Sequence, residues 1–141
     1  EGVSMSADSI LSGPIAFEEA GVTPQDMKYA SIYDSFTITV LMQLEDLGFC
    51  KKGEGGKFVS DGNLISGVGK LPFNTDGGGL CNNHPTNRGG ITKVIEAVRQ
   101  LRGEAHPKVQ VPYCDIALAH GTGGSLGTRH GAATLIMERE A

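Results

Sequence analysis

Tyr29-Ala30-Ser31-Ile32-Tyr33-Asp34-Ser35-Phe36 joins a short apolar run directly to two residues that favour the start of a helix. Residues 29–33 read as a strand with imperfect alternation. Asp34 and Ser35 are both good N-cap residues. Beyond them Phe36, Val40, Leu41, Leu44 and Leu47 fall on one helical face, which Gly48 closes. Thr37, Ile38, Thr39 and Val40 are β-branched in succession, so tertiary packing must support this helix. In open α/β sheets ligands bind where a strand passes into a helix, at the strand's carboxyl end. Tyr33 and Asp34 occupy that position.

Upstream, residues 4–20 have a loosely helical spacing, and at least residues 14–20 are expected to be helical, with Pro14 in the first turn and Gly21 as the stop. Thr23 is the expected N-cap of a helical turn through Pro24-Gln25-Asp26. Downstream, residues 51–70 are polar and glycine-rich, and read as a long excursion with a hairpin around Asp61-Gly62. Residues 71–74 are expected to form a short strand. It enters Asp76-Gly77-Gly78-Gly79-Leu80-Cys81-Asn82-Asn83-His84-Pro85, where three glycines in a row permit backbone conformations and close approaches closed to other residues. On its own this stretch reads equally as a surface loop with an exposed histidine. Ile91, Val94, Ile95, Val98 and Leu101 make the clearest amphipathic helix, with Gly103 as its stop and Lys93, Glu96, Arg99, Gln100 and Arg102 on a face expected to be solvated. The run from Cys114 to Ala119 suits a buried strand ending at His120. Residues 121–127 turn the chain, and residues 132–138 form a last strand. The pattern predicts an α/β domain with a mixed β-sheet covered by helices.

With 141 residues the chain suits one domain able to bury a core of its own. Sixteen acidic against twelve basic residues give a formal charge of −4, which argues against a nucleic-acid partner. Three cysteines at irregular spacing make no disulfide framework and fit a reducing cytoplasm. No apolar run approaches a membrane span, and the start does not resemble a signal peptide. The first residue is Glu1 and the opening reads like the interior of something longer, so a fragment, a processed chain or a separate subunit is expected. Glycine is frequent, but it clusters between periodic segments, as shaped loops do.

Sequence motifs exclude more than they assign. Residues 121–127 carry leucine at 126 where a dinucleotide fingerprint needs glycine, and Gly67-Val68-Gly69-Lys70 lacks the Walker spacing. Cys81, His84, Cys114, His120 and His130 match no standard zinc spacing, so no metal is expected. There is no Gly-x-Ser-x-Gly elbow. What remains is convergence: Tyr33-Asp34, His84 and His120 each stand at or beyond a strand end. If the three strands are parallel neighbours, these groups meet along one edge, a pattern suited to proton transfer and oxyanion stabilisation. Individually each has a structural role open to it: Tyr33 as a core tyrosine, Asp34 as a helix cap, His120 as a partner of its turn.

Tyr33-Asp34-Ser35-Phe36, residues 74–85, Ile95-Glu96-Ala97-Val98-Arg99-Gln100-Leu101-Arg102-Gly103 and His120-Gly121-Thr122-Gly123-Gly124, in this order and spacing, resemble the C-terminal half of the thiolase superfamily, particularly the sterol-carrier-protein and lipid-transfer branches. The resemblance implies one half of a layered αβαβα fold over residues 1–141, with the nucleophile-bearing N-terminal half elsewhere. Tyr33 stands where thiolases carry the asparagine of an Asn-Glu-Ala-Phe motif. Asn83-His84-Pro85 matches their Gly-His-Pro motif, so His84 would activate the nucleophilic cysteine and bond the thioester oxygen. His120-Gly121-Thr122 matches their Cys-x-Gly motif, with histidine in place of the acid/base cysteine. Tyr33, Asp34, His84 and His120 are thus the expected catalytic residues, with Gly121, Thr122 and Gly123 as backbone donors. The implied reaction is Claisen cleavage or condensation of CoA thioesters in lipid, steroid or aromatic side-chain metabolism. It needs no tightly bound cofactor, uses an acyl-CoA as substrate, and takes place in a cytoplasmic homo- or hetero-oligomer. The alternatives are a retro-aldolase acting on a β-hydroxyacyl-CoA and a non-catalytic subunit that completes a partner's site. None of Cys50, Cys81 and Cys114 stands at a helix start, as a reactive thiolate requires.

Overall fold

The computed structural model describes residues 9–84, 89–123 and 131–140. Strands β1 (Tyr29–Ile32), β2 (Ile116–Gly123) and β3 (Gly131–Glu138) lie side by side in that order. β1 runs parallel to β2, with Ile32 opposite His120, and β3 returns antiparallel, with Thr134 opposite His120. On the other side of β1, Phe73 makes a single parallel bridge to Ala30. Residues 71–74 therefore add one bridge where a strand is expected. Pro72 has no N–H to donate, and Asn74 leaves the extended region at φ 41°. The Asn74 side chain continues the pairing instead: Oδ1 accepts the Ile32 N–H and Nδ2 donates to the Ile32 carbonyl, both at 2.8 Å.

Helices cover both faces of this mixed sheet. Helix α1 (Ser9–Ala20) and helix α2 (Thr37–Asp46) pack on one face, and helix α5 (Gly89–Arg102) on the other. Strand alternation divides the core accordingly. Ala30, Ile32 and Leu118 join Phe17, Val40, Leu44 and Leu47. Tyr29, Ala117 and Ala119 join Ala97 and Leu101 on the α5 side.

Helix α1 begins at Ser9, so Pro14 lies inside it and not in its first turn. It closes tightly on α2, since a Cβ at Gly13 would fall 2.8 Å from Leu47 Cδ2. At the next turn Asp26 Oδ2 accepts from both the N–H and the hydroxyl of Thr23 at 2.7 Å. Helix α2 begins at Thr37 with Phe36 in the cap position and no side-chain cap; neither Asp34 nor Ser35 caps it. Phe36 is 61% exposed, so the helix buries Val40, Leu44 and Leu47 from the expected face but not its first member.

No strand forms among residues 51–70. Helix α3 (Gly55–Phe58) is followed by hydrogen-bonded turns, with Asp61 and Gly62 both at positive φ. The Asn63 and Leu64 carbonyls accept from the amides of Leu71 and Phe73, which folds the excursion onto the sheet edge. Its scattered apolar residues, Val59, Leu64 and Phe58, each fill a place against the larger core. No helix among the described residues is long and apolar enough to cross a membrane.

Candidate active site

Asp34 grips the glycine loop. Its Oδ1 accepts the Gly79 N–H at 2.6 Å and its Oδ2 the Leu80 N–H at 3.3 Å. These amides belong to helix α4 (Gly78–Cys81), a single turn. A carboxylate beside unpaired N–H groups at a helix start is the expected chemistry, but the Gly79 amide it serves lies 45 residues downstream of Asp34 and not in the helix that Asp34 precedes. A Cβ on Gly78 would fall 2.3 Å from Asp34 Oδ2, and Gly77 and Gly78 both have positive φ. The run of glycines is thus explained by a close approach and by backbone conformation together. Asp76 Oδ1 accepts the Gly78 N–H at 2.9 Å, and its Oδ2 accepts Nδ2 of Asn83 at 2.8 Å. The Thr92 hydroxyl on α5 donates to Asn83 Oδ1 at 2.9 Å, which fixes the residue next to His84.

The loop so held delivers His84 to Tyr33. The Tyr33 hydroxyl lies 3.0 Å from His84 Nδ1, and the rings stack with centroids 5.5 Å apart and planes 25° from parallel. Gly89, at the start of α5, passes so close to the phenol that a Cβ there would sit 2.6 Å from Tyr33 Cε2. When Tyr33 donates to Nδ1, the neutral imidazole carries its proton on Nε2 and can donate to a carbonyl oxygen. When Nδ1 donates to the phenol, Nε2 is a base. One contact therefore serves two roles.

A cleft of about 610 Å³ opens beside Tyr33, walled by Gly90, Gly121, Thr122, Gly123, Gly131, Ala132 and Ala133. Such a wall leaves room for a substrate close to backbone. Gly121, Thr122 and Gly123 are not in a turn, because β2 continues through them and pairs them with Ala133, Ala132 and Gly131. His120 O faces β1, where it accepts the Tyr33 N–H at 2.9 Å. Alternation then turns the Thr122 N–H toward the same side, past the end of β1.

His120 does not join this group. The strand segments at 71–74, 29–32 and 116–123 are parallel neighbours, so the backbones converge as anticipated. The side chains divide between the faces. Tyr33 lies on the α5 face, whereas His120 points to the α1 face, where Nε2 lies 2.9 Å from Ser9 Oγ and Nδ1 lies 2.9 Å from Thr134 Oγ1. The ring is fully buried. Burial pushes its pKa down to about 4, against a small opposing effect of Asp46, so the neutral ring is the form held at pH 7.

Cys114 and Cys50 are not activated thiols. Burial, then Asp115, pushes Cys114 up to about 11, and burial with Glu45 and Glu54 raises Cys50. Cys81 ends α4 and is exposed. Among the described residues no three His, Cys, Asp or Glu side chains converge as metal ligands; His130 lies outside them.

Sequence reasoning missed Asn74, Asp76 and Lys93. Asp76 sits in an Asn-Thr-Asp-Gly turn signal, and its carboxylate could have been paired with the glycine amides that follow. Lys93 gave no signal, because a lysine on the polar stripe of an amphipathic helix reads as solvated.

A family model described as "Thiolase C-terminal domain-like" matches residues 4–139. An acetyl-CoA acetyltransferase of Methanothermobacter thermautotrophicus is 42% identical over 88% of the chain and 31% of its own length. A 17-hydroxy-3-oxo-4-pregnene-20-carboxyl-CoA lyase of Mycobacterium tuberculosis is 42% identical over 80% of the chain and 28% of its own length. Among solved structures, an Ltp2-ChsH2(DUF35) aldolase superposes with a TM-score of 0.80 at 35% identity, covering 99% of this chain and 34% of that one. The chain thus spans about a third of the length of the curated relatives it matches. The chain belongs to the thiolase family, as a C-terminal domain with the mixed-sheet α/β fold of that half.

Proposed function

We propose that this chain is the C-terminal catalytic half of an enzyme that cleaves or forms a carbon–carbon bond next to the thioester carbonyl of an acyl-CoA. The observation that carries the reading is the Tyr33–His84 contact at 3.0 Å beside a glycine-walled cleft. In a Claisen cleavage the nucleophilic cysteine comes from an N-terminal half or partner subunit. Its thiolate attacks the β-carbonyl, the Cα–Cβ bond breaks, and the electron pair becomes a thioester enolate that must be protonated. His84 accepts the cysteine proton and, as the Nε2–H tautomer, bonds the thioester oxygen; the Thr122 amide is a further donor on the cleft. Coenzyme A then takes up the acyl group. The acetyl-CoA acetyltransferase among the relatives supports this direction. The unpaired cysteines fit a cytoplasmic setting.

A second reading is favoured by the phenol itself. In a retro-aldol cleavage the Tyr33–His84 pair takes the proton of a β-hydroxyl, the Cα–Cβ bond breaks, a carbonyl forms at Cβ, and the enolate is protonated without a covalent intermediate. The lyase and the aldolase among the relatives support it. The test uses the chain assembled with its nucleophile-bearing half. His84→Ala lowers kcat by about 10²–10⁴ under either reaction, and unchanged turnover would leave His84 a loop residue and the chain a non-catalytic subunit. Product formation from a β-ketoacyl-CoA that requires added CoA identifies the Claisen reaction. Release of a ketone or aldehyde from a β-hydroxyacyl-CoA without CoA identifies the aldol reaction.

A further inference from the structure

We propose that Lys93 is the positioning residue of the His84 loop, acting through Asp34 and Asp76; this deepens the reading above and rests on it. Lys93 lies on α5 with its side chain 0% exposed, and its ammonium has no hydrogen-bond partner among the described residues. Its nearest charged neighbours are Asp76 Oδ1 at 3.8 Å and Asp34 Oδ1 at 4.0 Å. These are the same two oxygens that hold the Gly78 and Gly79 amides.

Burying an ammonium without a hydrogen bond is strongly unfavourable, and a methionine of similar shape would fill the space without that cost. The charge therefore answers to something. Two buried carboxylates bind successive amides of one turn, and like charges so placed repel each other. One cation lying within 4.0 Å of both oxygens offsets that repulsion. The neighbouring Thr92 fixes Asn83. Helix α5 thus governs both ends of the segment from Asp76 to His84, by charge at one end and by hydrogen bond at the other. Lys93 touches no substrate in this account. It sets where the imidazole stands against Tyr33.

The test uses the assembled enzyme with Lys93→Met and Lys93→Arg. In Lys93→Met the Gly78, Gly79 and Leu80 amides exchange hydrogen about tenfold faster or more, while β1 and β2 amides keep their protection. Turnover falls at least about tenfold with KM changed less than about threefold, because the acid/base pair and not the binding wall is displaced. Lys93→Arg keeps the charge and recovers part of kcat. Unchanged protection of the three amides, or wild-type kcat in Lys93→Met, overturns the proposal. Should Lys93→Met fail to fold, Lys93→Met/Asp76→Asn removes one charge of each sign and restores folding; continued failure overturns it equally. If His84→Ala leaves turnover intact, the catalytic reading falls, but the exchange pattern still decides the role of Lys93.

Discussion

Tyr33 and His84 meet because three glycines keep side chains out of the way. Gly78 admits the Asp34 carboxylate, Gly79 lies between Asp34 and the imidazole, and Gly89 admits the phenol ring. Asp34 shows how far one residue can be read. Its type announces a carboxylate seeking backbone N–H groups, and that is what it does. Which amides it finds depends on a contact across 45 residues, and local sequence holds no record of that. His120 is the opposite case: its place on the sheet was legible, but the face it turns to depends on strand register. Its consequence can be measured. The folded chain protonates this ring near pH 4 and an unfolded one near 6.5, so the unfolded state binds more protons in between. Stability is full above pH 6.5 and falls toward pH 4, by about 1.4 kcal/mol per pH unit at the steepest. Urea midpoints at pH 7 and pH 5 should show this loss, and His120→Gln, which can still bridge Ser9 and Thr134, should flatten it.

Helix α5 has the clearest periodicity in the chain, and its buried face is rotated from the expected one: Leu101 stays buried and Arg99 and Arg102 stay exposed, but other members of the two stripes change places. Lys93, Glu96 and Gln100 are buried, whereas Ile91 is 55% exposed and Ile95 45%. Two members of the buried stripe are satisfied by specific partners: Glu96 Oε1 accepts the Thr75 hydroxyl at 2.7 Å, and Gln100 Oε1 accepts the Val111 N–H at 2.8 Å. Periodicity identifies two stripes but not which one meets the sheet, because hydrophobicity decides that only for a layer covered on one side. A helix that also faces the proposed second half would present both. The apolar stripe is accordingly expected to meet the partner half. Ile91→Ser and Ile95→Ser should each weaken association at least about tenfold, with little change in the chain's own unfolding midpoint. Titrating the separated halves against each other by calorimetry checks this; unaltered affinity would place the partner elsewhere. The excursion at 51–70 forms no hairpin for a related reason, since Phe58, Val59 and Leu64 serve neighbouring elements and carry no period of their own.

For the molecule as a whole, the α/β class and the mixed sheet were legible from strand–helix order, and the site only in part. Two of the expected groups share a face and the third does not, since alternation separates what chain order brings together. The thiol inventory bears on what the chain can do alone. With Cys114 and Cys50 both held above the usual thiol range, incubation of the purified chain with an acyl-CoA should leave its mass unchanged, and a stable acyl adduct on any cysteine would refute this. The sheet also has a history in time. Ser9 meets His120 across 111 residues, and Ser12 meets Thr134 across 122. Parallel pairing of β1 with β2 likewise cannot begin until residues 117–120 have been made, and contacts so distant in sequence form slowly. During synthesis, the β2-facing edge of β1 must therefore wait unpaired, and an unpaired strand edge is where a nascent chain is most prone to associate wrongly.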